Sequence, residues 1–122
     1  DWELSTLGDP LADLGQFLAV QALPSDYGLP GLAGVDRAVL GIPSADEQAA
    51  LYCRAANRSL LTVAELRFYL GFAMFRQAAM SAGLKRRAEL GTAVAESALY
   101  FGNTLDVFSR TGLELLHGDR TP

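Results

Sequence analysis

The sequence predicts a mainly α domain of about four main helices with a short strand end at its N-terminus, and three observations carry that prediction. Ser44-Ala45-Asp46-Glu47 and Thr62-Val63-Ala64-Glu65 each place a hydroxyl residue three positions ahead of a glutamate. In that arrangement the hydroxyl accepts from the third helical amide and the carboxylate accepts from the amide of the cap, so each stretch marks a helix start. Apolar residues also recur three and four apart, the period of one helix face. After residue 3 no alternating run is long enough for a strand, and no internal repeat is visible. With 122 residues, half of them apolar, the chain is expected to form one domain, residues 1–122, around one core.

The elements follow in order. Asp9 offers a carboxylate to free amides while Pro10 takes the first helical position, where its missing N–H costs nothing, and Leu11, Leu14 and Leu18 then mark one face. A first helix is predicted from Pro10 to Ala22. Pro24, Gly28, Pro30, Gly31, Gly34 and Gly41 make 23–42 a long Gly/Pro-rich loop, a candidate lid or substrate-facing insertion. The two capping boxes start a second helix, Ala45 to Ala56, and a third at Val63. Leu66, Phe68, Tyr69, Leu70, Phe72, Ala73, Phe75 and Met80 point in nearly every direction around that third helix, which predicts an enclosed central rod stopping near Gly83. In a last helix Val94, Ala98, Phe101, Leu105, Phe108, Gly112 and Leu115 form an apolar stripe. Glu96, Asn103, Asp106, Arg110 and Glu114 take its other side, with Asp106 and Arg110 spaced for an i,i+4 ion pair.

Charge and composition exclude several classes. Ten Lys and Arg against fourteen Asp and Glu leave a net charge of −4, which offers no broad basic field to a nucleic-acid backbone. The basic cluster Lys85-Arg86-Arg87 reads as a solvated helix end. The lone Cys53 has no internal disulfide partner and fits a reducing, cytoplasmic setting. The apolar run Phe68 to Phe75 lies between Arg67 and Arg76 and is far shorter than the ~20 residues that cross a bilayer. No membrane partner and no signal peptide are expected.

The chemistry-bearing stretch is the first one, Asp1-Trp2-Glu3-Leu4-Ser5-Thr6-Leu7-Gly8-Asp9-Pro10-Leu11-Ala12-Asp13-Leu14. On an extended segment Asp1 and Glu3 face one side and Trp2 the other. Two carboxylates on one side are hard oxygen donors of the kind that hold a magnesium ion, which keeps several waters and completes its shell with nucleotide phosphates. Two acids near a terminus are, by themselves, more often merely solvated. The surroundings make the pair specific. Asp1, Trp2, Glu3, Gly8, Asp9, Pro10, Asp13 and Leu14 resemble the segment of aminoglycoside phosphotransferase-like kinases in which Asp-Trp-Glu stands where protein kinases have Asp-Phe-Gly. Gly41-Ile42-Pro43-Ser44, Leu51-Tyr52-Cys53-Arg54, Phe68-Tyr69-Leu70 and Phe75-Arg76 resemble the branch related to kinase-like domains fused to acyl-CoA dehydrogenases.

The resemblance implies the helical C-terminal lobe of a protein-kinase-like fold, acting in an ATP-dependent phosphotransferase with an alcohol acceptor. Magnesium and ATP are the implied cofactors, and a small hydroxylated substrate the implied partner. By this analogy Asp1 is the principal magnesium ligand, Glu3 a supporting one, and both serve the bound nucleotide; Trp2 packs beneath them. Asp9 and Asp13 are implied structural supports. For Asp13 two readings stand side by side: exposure on a polar stripe with Asp9 and Gln16, or an inward turn that holds the catalytic-loop backbone. Arg76 is a candidate contact for an anionic substrate, with a scaffold role as the alternative.

His117-Gly118-Asp119-Arg120 imitates the His-Gly-Asp of the family's catalytic loop, but it comes after the metal aspartate and only Thr121-Pro122 follow it. It is read as a helix end. The catalytic aspartate is expected upstream, together with the glycine-rich loop and strand lysine that the chain lacks. The sequence is therefore expected to be one portion of a longer kinase, inactive in isolation. The competing expectation is a non-catalytic helical binding or interaction module.

Overall fold

The computed structural model describes residues 7–25, 31–92 and 104–122. Within them lie four α-helices and one short 3₁₀ turn: α1 Pro10–Ala19, continued by the turn Val20–Ala22, then α2 Ala45–Ala55, α3 Val63–Glu89 and α4 Leu105–His117. No strand occurs among the described residues. The expected strand end at residues 1–3 lies outside them, as does the stretch of the last helix from Val94 to Asn103.

Each helix begins where its local chemistry dictates. The Asp9 carboxylate accepts from the Leu11 amide at 3.0 Å, with Pro10 in the first turn. Both capping boxes form in full: the Glu47 amide donates to Ser44 Oγ and the Ser44 amide to Glu47, and Thr62 and Glu65 repeat the exchange.

Helix α3 is the axis of the fold, and α1 and α4 pack against it. At 27 residues it is about 40 Å long. Leu11, Leu14 and Leu18 of α1, Leu66, Leu70, Ala73 and Met74 of α3, and Val107, Phe108 and Leu115 of α4 form the shared core. Ala45, Ala49 and Cys53 bring α2 against it through one small-residue face. The α1 crossing depends on Gly15, where a β-carbon would stand 2.7 Å from the Tyr69 carbonyl oxygen.

Two expectations for α3 are corrected. The helix is not enclosed: Phe68, Phe72, Phe75 and Met80 are exposed while only the rows facing α1 and α4 are buried. Two neighbours cover two sides of a cylinder, so apolar residues all around it do not by themselves imply burial all around it. Nor does the helix stop at Gly83. A glycine inside a helix costs only about 1 kcal/mol, and the chain continues to Glu89, ending through Leu90 and a left-handed Gly91.

Candidate functional site

The described end of the Asp-Trp-Glu to Gly-Asp-Pro segment is Asp9, and α3 and the chain before it hold that residue from outside its own helix. The Tyr69 hydroxyl, on α3, donates to Asp9 Oδ2, while Arg58 Nη2 lies 3.7 Å from Oδ1. One carboxylate therefore caps α1 and ties its start to α3 and to the α2–α3 connection. The hydrogen bond from Tyr69, then that from the Leu11 amide, and then the Arg58 charge hold the Asp9 carboxyl below the usual carboxylate range. The same bond raises the Tyr69 phenol, which stays protonated as donor. Tyr69 is anchored at both ends, because its backbone is also the surface on which Gly15 rests.

One turn along α1, Asp13 is exposed and its side chain makes no hydrogen bond to the described residues. It borders a groove of about 460 Å³ lined by Pro10, Asp13, Leu14, Phe17, Gln48 and Tyr52. Phe17 is 59% exposed beside it. A large aromatic and a carboxylate thus share an open face of α1.

The 3₁₀ turn that continues α1 carries a polar network. Gln21, buried at 7% exposure, exchanges two amide hydrogen bonds of 3.2 Å with Gln48 of α2. Its Nε2 also donates to the Phe17 carbonyl, and its Oε1 accepts from Arg37 Nη1 at 3.0 Å. Gln48 donates further to the Pro43 carbonyl at 2.7 Å. The described part of the 23–42 loop is therefore fastened to α1 and α2, with the Leu32 and Ala33 amides donating to the Gln21 and Leu23 carbonyls.

Arg76 is exposed on α3 with its guanidinium 6.0 Å from the Phe72 ring centre, away from Asp9 and Asp13 along the helix. His117-Gly118-Asp119-Arg120 is a helix terminus, as the sequence indicates. Gly118 takes the left-handed cap, and the Asp119 and Arg120 amides donate to the Glu114 carbonyl. Arg120 pairs with Glu114 at 2.7 Å and donates to the Ala22 carbonyl at 2.8 Å, which fixes the tail to the end of the 3₁₀ turn. Arg120 serves the scaffold.

Asp1, Trp2 and Glu3 lie outside the described residues. As a donor set, two carboxylates fit magnesium in kind. Among the described residues no group of three or more His, Cys, Asp or Glu side chains is placed to hold a metal ion. Sequence reasoning missed Tyr69, Arg58 and the Gln21–Gln48–Arg37 network. The one signal for the network was a glutamine inside the apolar run Ala19-Val20-Gln21-Ala22-Leu23, which demands hydrogen-bond partners once buried.

Comparison with known proteins places this architecture. A crystal structure of a Ralstonia eutropha protein assigned as an aminoglycoside phosphotransferase superposes on the whole chain with a TM-score of 0.83 and 34% identity. The fold is thus that of the helical portion of an aminoglycoside phosphotransferase-like, kinase-related protein. In sequence the chain is similar to acyl-CoA dehydrogenase family member 10 of mouse, 38% identical over 103 residues, and to family member 11 of chicken, 35% identical over 117 residues. The human family member 11 is 31% identical over 115 residues. The chain spans 36% of the Ralstonia protein, 9% of the mouse protein and 15% of the chicken one. No protein-family model matches. Among the described residues, no helix is long and apolar enough to cross a membrane.

Proposed function

We propose that the chain supplies the metal-holding carboxylates and the helical substrate lobe of an ATP-dependent phosphotransferase that moves the γ-phosphoryl group to a hydroxyl of a small molecule. The observation that carries this reading is the likeness of the whole chain to the Ralstonia phosphotransferase, on a sequence that opens Asp1-Trp2-Glu3 and continues Gly8-Asp9-Pro10. Asp1 is the principal magnesium ligand and Glu3 the second, and Trp2 packs beneath them. A magnesium ion held by these carboxylates would supply positive charge to the nucleotide phosphates during transfer. Asp13 and Phe17, open on α1, face the catalytic loop supplied by the portion of the site that lies upstream; there Asp13 accepts hydrogen bonds from loop amides. The catalytic aspartate and the nucleotide-covering lobe belong to that portion. The acyl-CoA dehydrogenase names of the relatives support a hydroxylated acyl compound as acceptor, with aminoglycosides as the alternative.

Asp1→Ala in the complete two-lobed protein tests the reading. Magnesium-dependent transfer from ATP is expected to fall by about 100-fold or more while the melting temperature stays within a few degrees. Turnover equal to that of the parent protein rejects the metal assignment and favours a helical binding module.

A further inference from the structure

We propose that the cavity between the start of α2, the start of α3 and the tail after α4 is a binding site for a small, singly charged carboxylate with a short hydrocarbon body, received by Arg67. The cavity holds about 300 Å³, room for about ten non-hydrogen atoms. Leu66, Leu70 and Leu115, all buried, give it an apolar lining, and Val63 and Ala45 extend that lining. Asp46, Arg67 and Arg120 are its charged residues. None of Asp9, Asp13 and Tyr69 borders it.

The three charges are not equivalent. Arg120 is committed to the scaffold, its Nε paired with Glu114 at 2.7 Å and its Nη1 donating to the Ala22 carbonyl at 2.8 Å. Asp46 lies in the first turn of α2, where helix amides offset its charge. Arg67 makes no hydrogen bond or ion pair with the described residues, yet its guanidinium is held in place. A β-carbon on Gly118 would stand 2.3 Å from its Cζ and Nη2, so the group packs directly against the left-handed glycine that closes α4. The negative end of α4 favours a cation there but does not use its fork of N–H donors, which matches a carboxylate in two parallel bonds. A cation positioned by backbone packing also loses little freedom when it receives a ligand. One uncommitted guanidinium, with Asp46 on the same wall, favours a single negative charge over the nearly doubled charge of a phosphate, and the three leucines favour hydrocarbon behind it.

The test titrates the complete protein with hexanoate by saturation-transfer NMR, with hexanol and acetate as controls. Hexanoate is expected to bind saturably with a Kd of about 1 mM or tighter. Hexanol lacks the charge and acetate the hydrocarbon, so each should bind at least about tenfold more weakly. Arg67→Gln should weaken hexanoate at least about tenfold and leave hexanol unchanged, with a melting temperature within a few degrees of the parent because the side chain is exposed. Val63→Asp places an acid on the cavity wall at an exposed position in the first turn of α3, where a carboxylate suits the helix; it should weaken hexanoate by like-charge repulsion and keep the fold. Absence of saturable hexanoate binding by the parent overturns the proposal. Hexanol binding as tightly as hexanoate, or parental hexanoate affinity in either variant, overturns it as well.

Discussion

Helices α1 and α4 both cross α3 at a glycine, Gly15 on Tyr69 and Gly112 on Met74, yet what surrounds the two crossings differs. Around α1 the side chains are tied in polar networks at both ends, Asp9 with Tyr69 and Arg58 at the start and Gln21 with Gln48 and Arg37 at the finish. Around α4 the contact is made by Val107, Phe108 and Leu115, with the hydroxyls of Ser81 and Thr104 3.0 Å apart at its start and the Glu114–Arg120 ion pair at its finish as polar contacts. Apolar packing holds a helix without prescribing much about its ends. Hydrogen bonds, being directional, prescribe where a helix begins and what hangs from it. On the α1 side these polar contacts reach into the α2–α3 connection and the 31–42 loop, whereas the Glu114–Arg120 pair of α4 lies within its own end.

The comparison breaks first where the two sides should behave alike. Leu18 and Leu115 are both fully buried, one on each side of α3. Leu18→Ala and Leu115→Ala are each expected to cost about 2–5 kcal/mol in chemical unfolding. A cost below about 1 kcal/mol at either position would mean that its helix does not share the common core.

Next come the glycines. A β-carbon at Gly15 meets backbone and β-carbon atoms of Tyr69 at 2.7–2.9 Å, whereas at Gly112 it meets the β-carbon of Met74 at 2.9 Å with other neighbours beyond 3.5 Å. Gly15→Ala should therefore cost more, about 1–3 kcal/mol before the gain in helix propensity, and Gly112→Ala less. Equal melting temperatures for the two variants would remove the distinction between the crossings.

A sharper contrast concerns the polar groups. Gln21→Ala leaves Arg37 and Gln48 short of partners inside the fold, so it should cost about 1–3 kcal/mol and speed amide exchange across residues 31–42. Ser81→Ala removes one hydroxyl of a pair and should cost about 1 kcal/mol without touching that loop. Unchanged exchange in Gln21→Ala would detach the network from the loop.

The smallest effect is acid sensitivity. Asp9 is held low by the Tyr69 hydroxyl first, Glu47 by the Ser44 amide and Glu65 by the Thr62 hydroxyl. A carboxyl whose folded pKa is depressed contributes stability above its unfolded value, near pH 4, and that contribution fades as pH falls through the folded value. Stability should thus decline below about pH 4, and less steeply in Tyr69→Phe, where the main hold on Asp9 is gone. Parallel pH curves for the parent and Tyr69→Phe would show that the bond carries no such linkage.

Local physical chemistry sufficed for the helix starts. Asp9-Pro10, Ser44…Glu47 and Thr62…Glu65 satisfy their own amides within four residues, so no distant partner was needed to read them. The helical class and the likeness to aminoglycoside phosphotransferase-like kinases were legible on the same terms, since both rest on patterns along the chain. Tertiary structure decided which sides of α3 are covered, and so left Phe68, Phe72 and Phe75 exposed and carried the helix past Gly83. It also decided that Tyr69, 60 positions from Asp9, is that residue's partner, and that Gln21 meets Gln48 across 27. A periodic pattern records what each residue is suited to face, but a hydrogen bond between distant segments exists only once packing has brought them together.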